Sequence, residues 1–510
     1  MRRFLRSLTR RPAAVGVTAW IGLFLLSLAW VFATPLSASP DEASHIIKAA
    51  AVVRGELTGE PTDDPSVRTV QVPAGIAEAQ NWHCFAFKPN VSAACAPTYG
   101  DGQGLQPAVT SAALYNPVFY AIVGWPTLLP ISADAAVYVM RLVNAALTSA
   151  FLAVAMVILT RLGRPRVVAL AGLAALTPMV FFLNASVNPN AIEVSAGALS
   201  VAALFSVTRR PPSGRNLWAI LAVAASAAAI MVNVRSIAAL WLALFIAIVL
   251  ATAPRGHVLG LLKRWPTWLY VVAVAVATAG AGAWILGTNT LSNMGVFPGA
   301  GTVTPLRGFI TMLFDRSFDP GLVGIFGWLD TSGPNYAFAL WSFLGFAVVI
   351  AAAVVVRRRE FTALVGFIAV FLLAPPVIQA ASVMNSGYIW QGRYTLVALV
   401  ALVFFAAAAL ATSSPGSVQL AAAPQRRLLI IVGALFVFGH ATTLLVATRR
   451  YMLGAEANWI DAIVHPQWMP PVGTAIWIVV ATIGAAAVFC APLLGLRAQV
   501  DGPERVPARS

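Results

Sequence analysis

The sequence predicts an all-α polytopic membrane protein, with about twelve (11–13) transmembrane helices and two large loops on one side of the bilayer. Three observations predict it. Apolar runs of roughly 18–22 residues recur from end to end, the length at which a helix crosses a hydrocarbon core. Of the 510 residues, 59% are hydrophobic and only 10% charged, more apolar surface than one soluble core could hide. The basic residues gather in short loops between the runs, where they set topology. The same clustering accounts for the net charge of +15 without nucleic acid as a partner.

In chain order, residues 1–14 form a basic leader in which Arg2, Arg3, Arg6, Arg10 and Arg11 hold the N-terminus in the cytoplasm. The apolar segment behind it is long enough to span and lacks a clear small-residue cleavage site, so no signal peptide is expected. A transmembrane domain follows over 15–495. It begins with Val15–Thr34 and a first extracytoplasmic loop over 35–134, with a short helix from Asp41 to Arg54 and then irregular sequence to Pro107. Leu114–Leu129 is apolar but interrupted by Pro117, Gly124 and Pro126, and reads as an interfacial or re-entrant element. A full crossing there would put Arg161, Arg164 and Arg166 outside, against the charge rule.

The remaining crossings are Ala135–Thr160, Val167–Leu183, Ala191–Val207, Leu217–Met231, Ile237–Leu250 and Trp268–Leu286. A second extracytoplasmic loop over 287–335 separates these from Tyr336–Val355, Phe361–Ala381, Thr395–Ala411, Leu428–Ala447 and Val472–Leu494, and 496–510 is a cytoplasmic tail. This topology places 22 of the 33 Lys and Arg inside with only three acids, Glu360, Asp501 and Glu504. The expected location is the cytoplasmic membrane of a bacterium. Cys84 and Cys95, in the first loop, are candidates for a disulfide on an oxidising side. With only His83 near them, their spacing matches no zinc site.

The unusual polar residues fall on the side of the two long loops. Ser39-Pro40-Asp41-Glu42-Ala43-Ser44-His45 opens the first loop, where two carboxylates and an imidazole one turn later form a candidate acid/base group. The structural alternative is a capping box of Ser39 and Glu42, with Pro40 at the first helical position. Arg141 and Asn144 lie near the same face, Asn184 to Glu193 forms a turn containing Asn188 and Asn190, and Asn233 and Arg235 cap another. Phe326-Gly327-Trp328-Leu329-Asp330 lies in the second loop, and Gln391-Gly392-Arg393-Tyr394 opens a span. The bland readings are turns, snorkelling arginines and an interfacial Trp328. Arg393 fits them least. A guanidinium at the start of a helix opposes the dipole and calls for an anion, and its planar fork suits a phosphate.

Together, P-D-E-x-x-H, the N-x-N turn, F-G-W-L-D and Q-G-R-Y resemble a family of bacterial polytopic membrane proteins of unknown function. That family is similar to the GT-C glycosyltransferases. The likeness covers about residues 15–450. It implies a GT-C-like fold, a polyprenyl-phosphate sugar as donor, a carboxylate base in the first external loop, and a juxtamembrane element where this chain has Leu114–Leu129. On that resemblance Asp41 is the catalytic base and Glu42 a second carboxylate. Arg393 binds the donor phosphate with Tyr394, Gln391, Arg141 and Arg235, while His45, Lys48, Asn188, Asn190, Trp328 and Asp330 contact substrate. The absence of a large C-terminal soluble domain argues against a protein-glycosylating role.

The expected reaction is an inverting sugar transfer to a cell-envelope glycan or glycolipid at the extracytoplasmic face. No cofactor is firmly implied. A divalent metal is not favoured, because Asp41, Glu42 and a histidine make a thin site. Two other classes remain open. A transporter or flippase of lipid-linked glycans calls for ionisable residues at mid-bilayer or broken helices in paired halves, and nearly none lie mid-span. A non-catalytic envelope-assembly protein would use Asp41 only as a helix cap.

Overall fold

The structure, a computed structural model, describes residues 12–97, 100–212, 214–291, 295–413 and 422–495. The expectations for the arginines up to residue 11 and for the tail 496–510 lie outside the described residues. The first span, α1 (Pro12–Ala33), leads into a short helix, α2 (Glu42–Val52). Three antiparallel strands follow in the first long loop: β1 (Glu60–Pro61), β2 (Arg68–Pro73) and β3 (Leu105–Thr110), in the order β1-β2-β3. This corrects the irregular reading of the loop. Val70 and Val72 turn inward on either side of exposed Gln71, a period-two pattern, but Arg68 must find Thr110 across a long insertion.

The apolar stretch after the sheet forms α3 (Pro117–Gly124), continued by a four-residue 3-10 turn, Trp125–Leu128. At 1.5 Å per residue it reaches about 18 Å, short of the ~30 Å of a hydrocarbon core. The chain continues through α4 (Ala133–Leu162), the bent pair α5 (Pro165–Ala175) and α6 (Pro178–Asn184), then α7 (Asn190–Arg209) and α8 (Gly214–Val232). A second bent pair, α9 (Ala238–Thr252) and α10 (Arg255–Leu262), precedes α11 (Trp265–Gly287). The second long loop carries α12 (Pro305–Asp315) and a hairpin of β4 (Ile325–Phe326) with β5 (Thr331–Ser332). The remainder comprises α13 (Asn335–Val355), α14 (Arg358–Ser386), α15 (Gly392–Thr412), α16 (Ala422–Leu453), the short α17 (Trp459–Val464) and α18 (Thr474–Cys490).

Among the described residues ten helices are long and apolar enough to cross a membrane, and up to twelve crossings result if each bent pair is one span. The protein is an all-α polytopic membrane protein, as expected. Its centre is α7 and α15, buried over 94% and 89% of their most apolar stretches, whereas α11 is buried over only 6% and lies at the periphery of the bundle. Small residues let α1 and α18 pack closely beside it. A Cβ on Gly22 of α1 would lie 2.7 Å from the Val488 backbone nitrogen of α18, and one on Gly484 of α18 would lie 2.7 Å from that of Leu26.

Both bends sit at prolines, which cannot donate to the helix ladder. The 71° bend between α5 and α6 precedes Pro178, and the 116° bend between α9 and α10 follows Ala253-Pro254. At the first bend the freed Leu176 carbonyl accepts from Trp341 Nε1 and pairs with His440 Nε2, both at 3.1 Å. The second loop docks into the same break: the Met179 N–H donates to the Val323 carbonyl at 2.9 Å, and Thr177 Oγ1 to that of Leu322 at 2.9 Å. The broken helix therefore holds the Leu322–Val323 end of the second loop.

Candidate functional site

Pro35 to Pro40 turn the chain from α1 towards α2, and the turn ends in a backbone conformation that L residues avoid. Asp41 has φ 66° and ψ −1° and stands at the N-cap of α2, but its side chain makes no capping hydrogen bond. Left-handed geometry costs a non-glycine residue roughly 1 kcal/mol, least for Asp and Asn. The carboxylate leaves its own helix and accepts from Arg393 Nη2 at 2.7 Å. The expected capping box does not form: α2 begins at Glu42, and Ser39 Oγ is buried without a hydrogen-bond partner.

Arg393 enters from the first turn of α15. Its side chain is 4% exposed, whereas that of Asp41 is 48% exposed. Nη1 reaches the Pro40 carbonyl at 3.4 Å and Nη2 also donates to Tyr394 Oη at 3.2 Å, while Nε is buried with no hydrogen bond. The preceding turn is fixed by Gln379, which donates to the Gly387 carbonyl and accepts from the Trp390 N–H. Gly392 is required by packing, since a Cβ there would lie 2.5 Å from Asp319 Oδ1 and 2.9 Å from Gly321 Cα. The second loop thus comes to rest on the start of α15.

Between them opens a cavity of about 300 Å³. Pro40, Gln391, Gly392 and Arg393 line one side, and Arg316 and Asp319 come from the second loop. Apolar walls come from Met179, Phe182, Leu329 and Trp390. Gln391 Oε1, like Arg393 Nε, is buried without a hydrogen-bond partner. The arrangement pairs a half-exposed carboxylate with a buried guanidinium that keeps one donor unused beside a partly apolar cavity. It can accept a proton at Asp41 and hold an anion at Arg393.

The other expected residues have different places. Glu42 is fully buried and faces away from Asp41. Arg141 grips it with Nε to Oε1 at 2.8 Å and Nη2 to Oε2 at 2.6 Å, and the Val187 N–H donates to Oε1 at 2.9 Å. Arg141 also donates to the carbonyls of Val31, Thr34 and Pro35 at the end of α1. This removes Glu42 from the catalytic pair and Arg141 from the phosphate ligands, because the two neutralise each other and knit α1, α2 and α4 together. Arg235 pairs with buried Glu193 at 3.1 Å and lies 4.4 Å from the centre of the Tyr394 ring, to which Arg393 also comes within 5.1 Å. The ring is shared by the two cations, and neither Tyr394 nor Arg235 lines the cavity.

His45 and Lys48 also turn inward. His45 Nδ1 bonds Tyr120 Oη at 2.8 Å, and burial pushes its pKa down to about 4, with Arg393 and Arg235 adding to the effect against Asp41. It is neutral at neutral pH and is no anion ligand. Lys48 donates to the carbonyls of Leu57 and Ala113, and burial pushes its pKa down to about 7. It ties the first loop to α2 and does not reach the cavity. Asn188 donates to the Pro40 carbonyl at 3.5 Å and accepts from the Asn190 N–H at 3.0 Å, so this N-x-N turn backs the strained Asp41 corner.

The F-G-W-L-D stretch is the turn between β4 and β5, with Gly327 and Leu329 at positive φ. Trp328 donates to the Ser37 carbonyl at 3.0 Å and stacks on His83 at 4.5 Å. Asp330 is held by Arg450 at 2.9 Å. Arg450 also binds the carbonyls of Phe85, Lys88 and Val91, in the part of the loop cross-linked by a Cys84–Cys95 disulfide. Trp328 and Asp330 therefore join the two loops and do not line the cavity.

Residues 24–403 match the family described as "Predicted membrane protein (DUF2142)". The chain belongs to that family. No curated protein matches it. Among solved structures, this DUF2142 chain is similar to ArnT from Cupriavidus metallidurans in the apo state, at 16% identity and a TM-score of 0.46 over 96% of this chain and 78% of that one. It is also similar to the same protein bound to undecaprenyl phosphate, at 14% identity and a TM-score of 0.44 over 96% and 77%. Two residues that line the cavity, and one that ties the loops together behind it, escaped sequence reading. Arg316 and Asp319 sit in a loop otherwise read for its Trp, and Arg450 looks like one more basic residue at a helix end. The usable signal was the Asp-Pro-Gly turn at Asp319, which closes through Gly321 N–H to Asp319 Oδ1 at 2.7 Å.

Proposed function

We propose that the protein is a membrane glycosyltransferase that moves a sugar from a polyprenyl-phosphate donor to a cell-envelope acceptor hydroxyl, with inversion, on the extracytoplasmic side. The observation that carries the reading is the Asp41–Arg393 pair, whose guanidinium lines a cavity with apolar walls beside Pro40. The motif resemblance to GT-C enzymes supports it, as does the face on which the two long loops meet.

The acceptor hydroxyl attacks the anomeric carbon from the side opposite the phosphate. Its proton passes to the Asp41 carboxylate as the new C–O bond forms. The bond from the anomeric carbon to the phosphate oxygen breaks, and its electron pair leaves with the phosphate. The charge growing there meets Arg393, whose unused Nε can donate while Nη2 still holds Asp41. Burial makes that cation effective, since little water competes for it. Arg316 on the cavity rim is a second cation for the same phosphate.

Asp41→Asn isolates the base. Asn tolerates the left-handed corner and its amide oxygen can still accept from Arg393, but it cannot take a proton. Membranes carrying the variant, supplied with a labelled polyprenyl-phosphate sugar and an envelope acceptor fraction, are expected to lose about 10²–10⁴-fold in transfer. Transfer at the unaltered rate would remove the enzymatic assignment.

A further inference from the structure

The helices that carry the candidate site at one end, α7 and α15, close on a second cavity at the other. It has a volume of about 420 Å³. Arg209, Arg210 and Arg357 line it with His257, and Glu360 is the single acid among the described lining residues. Arginines at loop ends are the ordinary result of membrane sidedness. A cavity built around one of them is not. Arg209 is 4% exposed and anchored by Thr252 Oγ1 at 2.6 Å, the Val249 carbonyl at 3.1 Å and Thr208 Oγ1 at 3.0 Å. Its Nε is buried without a hydrogen bond, and Glu360 stands 3.8 Å away, beyond hydrogen-bonding reach. Arg210 is exposed and leans on the Thr412 carbonyl at 3.3 Å. His257 bonds the Thr208 carbonyl through Nδ1 at 2.9 Å, so that nitrogen carries the hydrogen and Nε2 is left for another partner.

Three guanidinium groups against one carboxylate leave an unbalanced positive charge in a concave site, the chemistry of a phosphate receptor. The surroundings indicate where the phosphate comes from. Val356 and Ala409 form apolar wall at the ends of spanning helices, and basic clefts at such helix ends take lipid headgroups. We propose that this cavity binds the phosphate headgroup of an anionic membrane lipid, on the face opposite the candidate active site.

The test uses the full chain in phosphatidylcholine nanodiscs and a fluorescent short-chain phosphatidylglycerol as probe, with inorganic phosphate as competitor. Saturable binding is expected, with no matching signal from fluorescent phosphatidylcholine. Arg210→Gln should weaken it about fivefold and the double variant with Arg357→Gln about 25-fold, each cation contributing alike. Both residues are exposed, so unfolding does not confuse the result. Glu360→Gln should tighten binding about fivefold by the same reasoning. Unchanged affinity in the double variant, or equal binding of phosphatidylcholine, would overturn the site. Displacement by inorganic phosphate at concentrations equal to the lipid's would overturn the lipid as its source.

Discussion

Adjacent in the chain, Asp41 and Glu42 point to different arginines, and substitution should separate them. Glu42 shares a fully desolvated bidentate contact with Arg141, so Glu42→Gln strands a buried guanidinium and should cost about 3–5 kcal/mol. Thermal unfolding in detergent would register that as a large loss. Asp41→Asn should stay within about 1 kcal/mol of the parent in the same measurement, because its partner keeps an acceptor and the carboxylate is half exposed. Equal losses in the two variants would contradict the division between a framework pair and a working pair. The sequence brought out both carboxylates and set Arg393 apart as a guanidinium at a helix start, but nothing in the chain marked Arg141 as the partner of Glu42. His45 adds a pH signature. Its folded pKa, about 4, lies below the 6.5 of the unfolded chain, so between those values the unfolded state binds the extra proton. The contribution of His45 to stability is therefore full above about pH 6.5 and falls by about 3 kcal/mol as pH drops towards 4. His45→Gln should make the slope of stability against pH shallower between about pH 4 and 6.5 by that amount, and an unchanged slope would place the titrating group elsewhere.

The second loop is positioned by two contacts with helical elements: the broken α5–α6 span holds its Leu322–Val323 end, and Gly392 at the start of α15 seats the Asp319–Gly321 turn. Gly392→Ala puts a methyl where backbone already stands, 2.9 Å from Gly321 Cα, and the turn must lift away. The expected result is a destabilised loop, cut faster by added protease around Asp319, with the spanning helices still intact. Protection equal to the parent's would mean that the turn has room. The same elements show what sequence can and cannot convey. Spans α7 and α15 were legible because length and hydropathy are local properties, whereas the bends before Pro178 and at Pro254 were not read, since Val167–Leu183 and Ile237–Leu250 each pass as one apolar run. The strands β2 and β3 were not, because Val70 and Val72 gain a partner only after some thirty residues of turn-rich chain. The role of Gly392 is likewise invisible without the loop that lands on it.

At the scale of the molecule, sidedness rests on charge. The candidate site and both long loops lie at one end of α7 and α15, and Arg209, Arg210 and Arg357 at the other. Positive residues stay where the chain is inserted, so the Asp41 end should face away from the cytoplasm. The order and number of spans could be read from the sequence, whereas the meeting of Asp41 with Arg393 across 352 positions arises only when α1 and α15 converge on one corner. Single cysteines test the orientation. In a Cys490→Ser background that keeps the Cys84–Cys95 bridge, Asp101→Cys places a thiol in the exposed first loop and Arg358→Cys places one at the exposed start of α14. A membrane-impermeant maleimide added to intact cells should label the first variant and reach the second only after permeabilisation. The reverse pattern would put Asp41 and Arg393 on the cytoplasmic face, where an external acceptor could not meet them, and the proposed reaction would fail with the site geometry unchanged.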